Sequence, residues 1–467
     1  MLPKIIRQMS ARNLLHEIYI FFSNAPVVLR LLLKRTREPH IQTRMMQDTA
    51  FVSGLYAFLW LYLLLSGCNV VIQDRTVLLS LALVMILCCI LEVLSVSRFF
   101  LILLFIETIG LFTHMGTGIE AGTILLTQTV FCAAVLLGIF LFFFLPHLPP
   151  AILILGFTVL SGILYLATWA FGEKQNSSAL SLLGFKTTEV VPRVLGVISL
   201  VRSCSLPART EKDCYRIAIA SIAVLGVHAA GLFLCNDIAP LFLLGLVYIS
   251  IVFMTLRNKT LLVATMRCYI GVLAFLLPIF CLLRRTELFA VVYKKISLRL
   301  QVLSGNPAVD PMKEGYQSGA AIRAFYRCSF LGHTRLPALH APNEFNDFFF
   351  VRIARVFGFC MLIVLMTAYI LYLVLALLKT RHTVGFSSLL GCAGAMFIVY
   401  QAILNLSMCC NLFITAGVTA PFLSNGLFSL FTSSLQAGLL CASCCGIQPY
   451  SPIIVYHGKT FTTEEMF

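Results

Sequence analysis

Apolar residues run along this chain in long continuous blocks, without the period-two alternation of a half-buried strand. The blocks are about 20 residues long, the length that a helix needs to cross the hydrocarbon of a bilayer. They fall at 50–72, 76–97, 122–146, 150–171, 190–206, 215–234, 238–256, 261–283, 356–378, 384–410 and 422–445. A weaker block at 99–116 carries Glu107. The pattern predicts an all-α polytopic membrane protein, a bundle of about 10–12 transmembrane helices with one large outer loop. A transmembrane barrel would instead read as alternating segments of about ten residues. Pro421 and Gly426 predict a break or bend where the last span begins.

Composition agrees with this reading. The chain has 467 residues, 60% of them hydrophobic and only 11% charged. Soluble chains are about 45–50% apolar and about 25% charged. This excludes a soluble enzyme, a nucleic-acid-binding domain and a disordered chain. Most of the 17 cysteines lie inside the apolar blocks, where they read as soft packing residues. Cys441, Cys444 and Cys445 form a CxxCC, but no second ligand pair stands at zinc spacing, and no metal site is expected.

Charge sets the orientation. The net charge is +15. Residues 1–48 hold Lys4, Arg7, Arg12, Arg30, Lys34, Arg35, Arg37 and Arg44, which places the N-terminus in the cytoplasm. Within this segment, 11–35 reads as an amphipathic surface helix. An even span count puts 446–467 inside as well. One loop departs from the rule: 284–355, on the outer side, carries 11 basic residues against five acids. Its first part, 284–303, is basic and amphipathic. Two readings stay open: generic attraction to anionic headgroups, or capture of an anionic substrate at the outer leaflet. Nucleic acid is not an expected partner.

Three blocks bring a resemblance. Residues 299–317 read RLQVLSGNPAVDPMKEGYQ, 336–350 read LPALHAPNEFNDFFF, and 401–430 read QAILNLSMCCNLFITAGVTAPFLSNGLFSL. In order and spacing they resemble the SEDS (shape, elongation, division and sporulation) family, the RodA and FtsW relatives. Its pattern has an Arg before NPxxDPxxxGYQ, then LPExHxDFIFA, then QxxxNxxxxxGLLPxTGxxLPFxSYGGSSLL. Weaker echoes are the stretch ending in Glu189, like the family's Q-P-S-E, and the stretch around Asp237, like its Q-P-D-L-G. The resemblance covers about 176–445 and divides the chain into a basic segment 1–48, divergent spans 49–175, a SEDS-like core 176–445 and a tail 446–467. Several family residues differ: Ala320, Arg355-Val356, Ile414 and Asn425-Gly426-Leu427 stand where the family has others, and its outer-loop Arg-Trp is missing near Ala179 and Leu180.

The resemblance implies a peptidoglycan glycosyltransferase. Such an enzyme polymerises glycan strands from lipid II, an undecaprenyl-pyrophosphate-linked sugar. It works at the outer face of the bacterial cytoplasmic membrane, in division or shape maintenance, beside a class B penicillin-binding protein. The resemblance also makes a divalent cation conceivable, and the cofactor stays unknown. It implies that Asp347 is the essential acid. A carboxylate there accepts the proton of the attacking hydroxyl, while cations such as Arg299 and Arg352 meet the pyrophosphate leaving group.

Each residue also has a plainer reading. Asp347 could cap the next helix. Glu189 and Asp237 are either helix-start carboxylates or polar groups lining a cavity. Gln401 and Asn405, one turn apart, either pack helices together or line the site. Tyr316 and Gln317 either touch substrate or order the loop. Two other functions remain open: a flippase or transporter for a lipid-linked sugar, and a non-catalytic scaffold for a penicillin-binding protein.

Overall fold

The structure is a computed structural model that describes residues 39–65, 74–93, 100–115, 121–175, 178–207, 210–255, 263–272, 274, 286–304, 316–332, 346–380, 385–414, 417–443, 454–456 and 459–461. The basic segment up to residue 38, with its expected surface helix, lies outside these residues, as do 305–315, with the Asn-Pro and Asp-Pro pairs, and 333–345.

The helices follow the apolar blocks. They are α1 (Pro39–Leu65), α2 (Asp74–Val93), α3 (Phe100–Met115), α4 (Ala121–Phe144), α5 (Phe157–Phe171), α6 (Thr187–Val191), α7 (Val197–Cys204), α8 (Glu211–Leu234) and α9 (Ala239–Thr255). Then come α10 (Val263–Val272), α11 (Glu287–Leu303), α12 (Tyr316–Tyr326), α13 (Phe349–Thr380), α14 (Phe386–Cys409) and α15 (Leu427–Ser443). Among the described residues, six helical stretches have the length and apolarity to cross a membrane: Thr76–Val93, Gly122–His147, Ile152–Phe171, Glu211–Leu234, Phe349–Leu378 and Phe386–Cys409. Strand is confined to two short antiparallel hairpins, Glu173–Gln175 with Ser178–Ser181 and Ile454–Tyr456 with Lys459–Phe461. The chain is therefore an all-α polytopic membrane protein.

Its exterior is apolar and its interior carries polar groups. Leu155, Ile163, Ile270 and Ile363 point outward, whereas Gln128, His228, Gln401 and Asn405 are fully buried. In lipid this arrangement is favourable, because apolar side chains face hydrocarbon and polar ones find partners inside. One hydrophobic core runs from Val52 in α1 to Ala442 in α15, so the first and last of these helices share it.

The tightest helix pair is α4 with α15. A Cβ at Gly438 would come within 3.1 Å of the Gly138 Cα and would strike the Val135 carbonyl. Two glycines facing each other let these backbones approach more closely than any side chain would permit.

Three departures from the apolar pattern matter for the site. The expected 190–206 span is built from α6, a π-helical turn Pro192–Gly196, and α7. Pro192 lacks an N–H, and the wider turn absorbs the lost hydrogen bond. Second, α13 begins at Phe349, earlier than the apolar block, and breaks at Gly358 (φ 83°). There Phe359 and Cys360 donate their N–H groups to the Ser329 and Phe330 carbonyls at 3.2 and 3.0 Å. Third, α15 begins only at Leu427, and 417–426 before it is irregular, with Phe422 at φ 62°. The bend expected from Pro421 and Gly426 is present.

Irregular backbone inside a membrane bundle must be satisfied by the protein itself. Here four side chains supply donors to 417–426. Asn405 reaches the Val418 carbonyl at 2.5 Å and Gln401 the Thr419 carbonyl at 2.7 Å. Tyr369 reaches Pro421 at 2.5 Å, and His114 reaches Leu423 at 2.7 Å through Nε2. A carbonyl only accepts, so His114 carries its proton on Nε2.

Candidate functional site

Asp347 lies in the turn that leads into α13, half-buried, beside the irregular 417–426 segment. A Cβ on Gly417 (φ 66°) would lie 3.8 Å from Asp347 Oδ2. The backbone of Asp347 is fixed by Asn405, whose Nδ2 donates to its carbonyl at 2.7 Å. Asn405 holds Val418 with the same amide, so one side chain joins the start of α13 to 417–426.

Four charges from three further segments surround the carboxyl. Lys186 and Glu189 come from the start of α6, Asp237 from the turn before α9, and Arg299 from α11. Burial pushes the Asp347 carboxyl up to about 6. Lys186 and Arg299 oppose that rise, while the Glu189 and Asp237 carboxylates add to it. The Arg299 guanidinium is itself lowered by burial, and Asp237 and Asp347 pull it back up. Asp347 is therefore a carboxylate with a base strength closer to neutral pH than usual, beside two cations.

Behind this group lies a second polar layer, buried in the bundle. Arg193, on the π turn, pairs with Glu189 Oε1 at 3.0 Å. Its Nη1 donates to Ser429 Oγ at 3.1 Å and Thr432 Oγ1 at 3.2 Å. Gln436 donates to the Arg193 carbonyl at 3.0 Å. Thr419 Oγ1 donates to Glu189 at 3.4 Å, and Gln401 bonds Thr419 Oγ1 and Ser429 at 3.0 and 3.2 Å. Glu189 touches both layers: it pairs with Arg193 and acts on Asp347.

The residues expected from sequence thus divide into three groups. Asp347, Glu189, Asp237 and Arg299 converge, and Gln401 and Asn405 brace the same place through hydrogen bonds. Tyr316 and Gln317 stand exposed at the start of α12. Arg352, 1% exposed, turns into the bundle beside His114. Lys186 and Arg193 emerged only from the structure. A charge at 193 inside an otherwise apolar block was the available signal, since ionisable groups within spans are rarely idle. Among the described residues no three His, Cys, Asp or Glu side chains converge to hold a metal ion.

The chain is similar to known proteins over this region. The family profile described as "cell cycle protein", covering FtsW, RodA and SpoVE, matches residues 93–443. A probable peptidoglycan glycosyltransferase FtsW of Synechocystis is 29% identical over 142 residues, 29% of this chain and 36% of that protein. A protein of the same description from Acinetobacter baylyi is 24% identical over 172 residues, 35% of this chain and 43% of that one. The matched stretch is thus less than half the length of these relatives. Among solved structures, a chain from a peptidoglycan synthase complex superposes with a TM-score of 0.54 at 18% identity, over 75% of this chain and 98% of that one. That likeness concerns the fold. With the profile spanning most of the sequence, including the whole Asp347 site, the chain belongs to the SEDS family of FtsW, RodA and SpoVE.

Proposed function

We propose that this chain is a peptidoglycan glycosyltransferase that extends glycan strands from a lipid-linked disaccharide pyrophosphate such as lipid II. The observation that carries the reading is the placement of Asp347: a half-buried carboxylate raised to about 6, flanked by Lys186 and Arg299 and anchored by Asn405. In the step, a sugar hydroxyl forms a C–O bond to the anomeric carbon of the second substrate. The bond from that carbon to the pyrophosphate oxygen breaks, and the electron pair leaves with the pyrophosphate. Asp347 accepts the hydroxyl proton. Lys186 and Arg299 balance the negative charge on the leaving group, which is why the cations belong beside the base. A second carboxylic acid is not required, because pyrophosphate leaves without protonation.

In this reading the site faces the outer leaflet of the bacterial cytoplasmic membrane, the N-terminus is cytoplasmic, and a class B penicillin-binding protein crosslinks the product. The outer-loop charge and the family membership support it. Tyr316, Gln317 and Arg352 are assigned to substrate contact on the motif resemblance alone.

The test is polymerisation of lipid II by the purified, reconstituted chain. Asp347→Asn at equal membrane levels should abolish it, and full activity in that variant would refute the assignment. Lipid translocation that persists in Asp347→Asn vesicles would favour a flippase. Growth supported by Asp347→Asn with the partner still bound would favour a scaffold.

A further inference from the structure

Just before Lys186 the chain makes a strained turn that the chemistry above leaves without a role. Leu182 and Phe185 exchange both backbone hydrogen bonds, at 2.9 and 3.0 Å, around Leu183 and Gly184. Both central residues have positive φ, 53° at Leu183 and 78° at Gly184. This is the type I′ pattern, which prefers Asn-Gly or Asp-Gly. A leucine is disfavoured there, because in the left-handed region its Cβ crowds the carbonyl oxygen that follows. Its side chain is 97% exposed, so the rest of the protein offers it almost no contact. Strain that the fold does not compensate marks a segment kept for something outside the chain.

The turn lies at the membrane boundary. Phe171, 84% exposed, ends the 20-residue apolar stretch Ile152–Phe171 and marks where that span leaves the hydrocarbon. The hairpin then folds back, pairing Glu173 with Ser181, and returns the chain to the end of α5. Just after the turn, Thr187 meets Thr168 of α5 through their hydroxyls at 2.6 Å. The turn and Lys186 are thus held level with the last turn of α5. Phe185, 40% exposed, sets its ring edge-to-face against Phe428 of α15, with centroids 5.3 Å apart. Phe428 precedes Ser429, which bonds Arg193 and Gln401. Leu183 and Phe185 therefore form an apolar rim that joins the Asp347 site to the bilayer.

We infer that the Leu182–Phe185 turn binds the isoprene units nearest the pyrophosphate of the lipid-linked substrate, with Leu183 and Phe185 as the contacts. The inference rests on the reading of the chain as an enzyme that uses a prenyl pyrophosphate. The chemistry of that substrate selects the occupant. Its apolar chain is bonded directly to the pyrophosphate, so it starts where Lys186 and Arg299 meet the leaving group. Three residues separate Leu183 from Lys186, a span of at most about 10 Å, which the first few isoprene units cover. From there the tail must enter hydrocarbon, and the rim of Leu183 and Phe185 lines that way with apolar surface. Recognition of the tail then falls to a segment outside the three motif blocks.

The test is photolabelling of the full chain in lipid nanodiscs by a sugar-free prenyl pyrophosphate with a diazirine in its second isoprene unit. Mass spectrometry should find the label on 182–185. Unlabelled prenyl pyrophosphate should displace it, and the prenyl alcohol of the same length should not. Leu183→Asn should cut the labelling about tenfold, the size of one lost apolar contact. Asn suits the turn, so that variant should unfold at the same or a higher temperature and its loss of label is not a loss of fold. It should also narrow, about tenfold, the KM advantage of an undecaprenyl-linked substrate over a short-chain one. Asp347→Asn should still take the label. Label absent from 182–185, or Leu183→Asn labelled like the native chain, overturns the inference. So does a diazirine phospholipid that labels the turn and is not displaced by prenyl pyrophosphate, since the turn then only touches the bilayer. Labelling that stands while no substrate is polymerised supports the tail site and refutes the glycosyltransferase reading, so the two fail separately.

Discussion

The side-chain amide of Asn405 binds the backbone carbonyl of Asp347 at 2.7 Å and that of Val418 at 2.5 Å. The position of the carboxylate is thus decided on α14, two segments away in sequence. Asn405→Ala leaves both carbonyls without their donor, and we expect a stability loss of about 1–3 kcal/mol. Polymerisation should fall about 10- to 100-fold at matched membrane levels, because a displaced base loses alignment with the hydroxyl. Initial rates and unfolding midpoints measured on the same preparation check both effects.

The Asp347 carboxyl, raised to about 6, predicts an acidic limb in the pH–rate profile. Activity should rise with pH through about 6, since the base must be deprotonated. Linkage gives the sign for stability. A carboxyl whose folded pKa lies above its unfolded value stabilises the fold at low pH, and that contribution is lost as pH rises through about 6. Asp347→Asn should therefore unfold at a higher temperature than the native chain at pH 7.5, and the gap should close by about pH 4. Unfolding midpoints at the two pH values test this, and a gap that grows on acidification would contradict it.

Gly438 and Gly138 set the distance between α15 and α4. Gly438→Val forces its side chain into the Val135 carbonyl and toward the Gly138 Cα at 3.1 Å, and backbone cannot yield as a flexible side chain does. The expected cost is about 2–4 kcal/mol, read as a lower unfolding midpoint. Gly122→Ala, on the same α4 with no atom within 4 Å, is the control and should be neutral or stabilising.

Arg193 sits between Glu189 and the hydroxyls of Ser429 and Thr432. Arg193→Met leaves Glu189 without its 3.0 Å partner and should cost about 3–5 kcal/mol. Arg193→Lys keeps the charge but cannot span Glu189 and both hydroxyls, so it should fall between the two. Unfolding midpoints of the three proteins rank the effect.

Much of the architecture was legible in the sequence because a bilayer imposes a length and a polarity on each span. The apolar blocks located the helices, and Pro421 with Gly426 located the break before α15. Asp347, Glu189, Asp237 and Arg299 could be named from motifs, yet their convergence could not, since it depends on how distant helices pack. Arg193 was hidden inside an apolar block, where it reads as an interruption until Ser429 and Thr432 are seen opposite it. The roles of Gln401 and Asn405 were ambiguous for the same reason. An amide in a span looks alike whether it joins helices or holds a loop, and only the carbonyls at Val418, Thr419 and Asp347 distinguish the two. The break at Gly358 left no signal beyond a glycine in an apolar run.

The glycine crossing of α4 and α15 also has a bearing on biosynthesis. The groove at Gly138 leaves the ribosome long before Gly438, an interval on the order of 15–60 s at ordinary translation rates. Until α15 arrives, α4 stands in the membrane with a bare strip of backbone made for a helix that does not yet exist. The carbonyls of 417–426 likewise await α15 before they are enclosed. Assembly of the Asp347 site is therefore a late event in the life of the chain, and a nascent protein stalled before the last span would hold the site residues without the helix that closes them in.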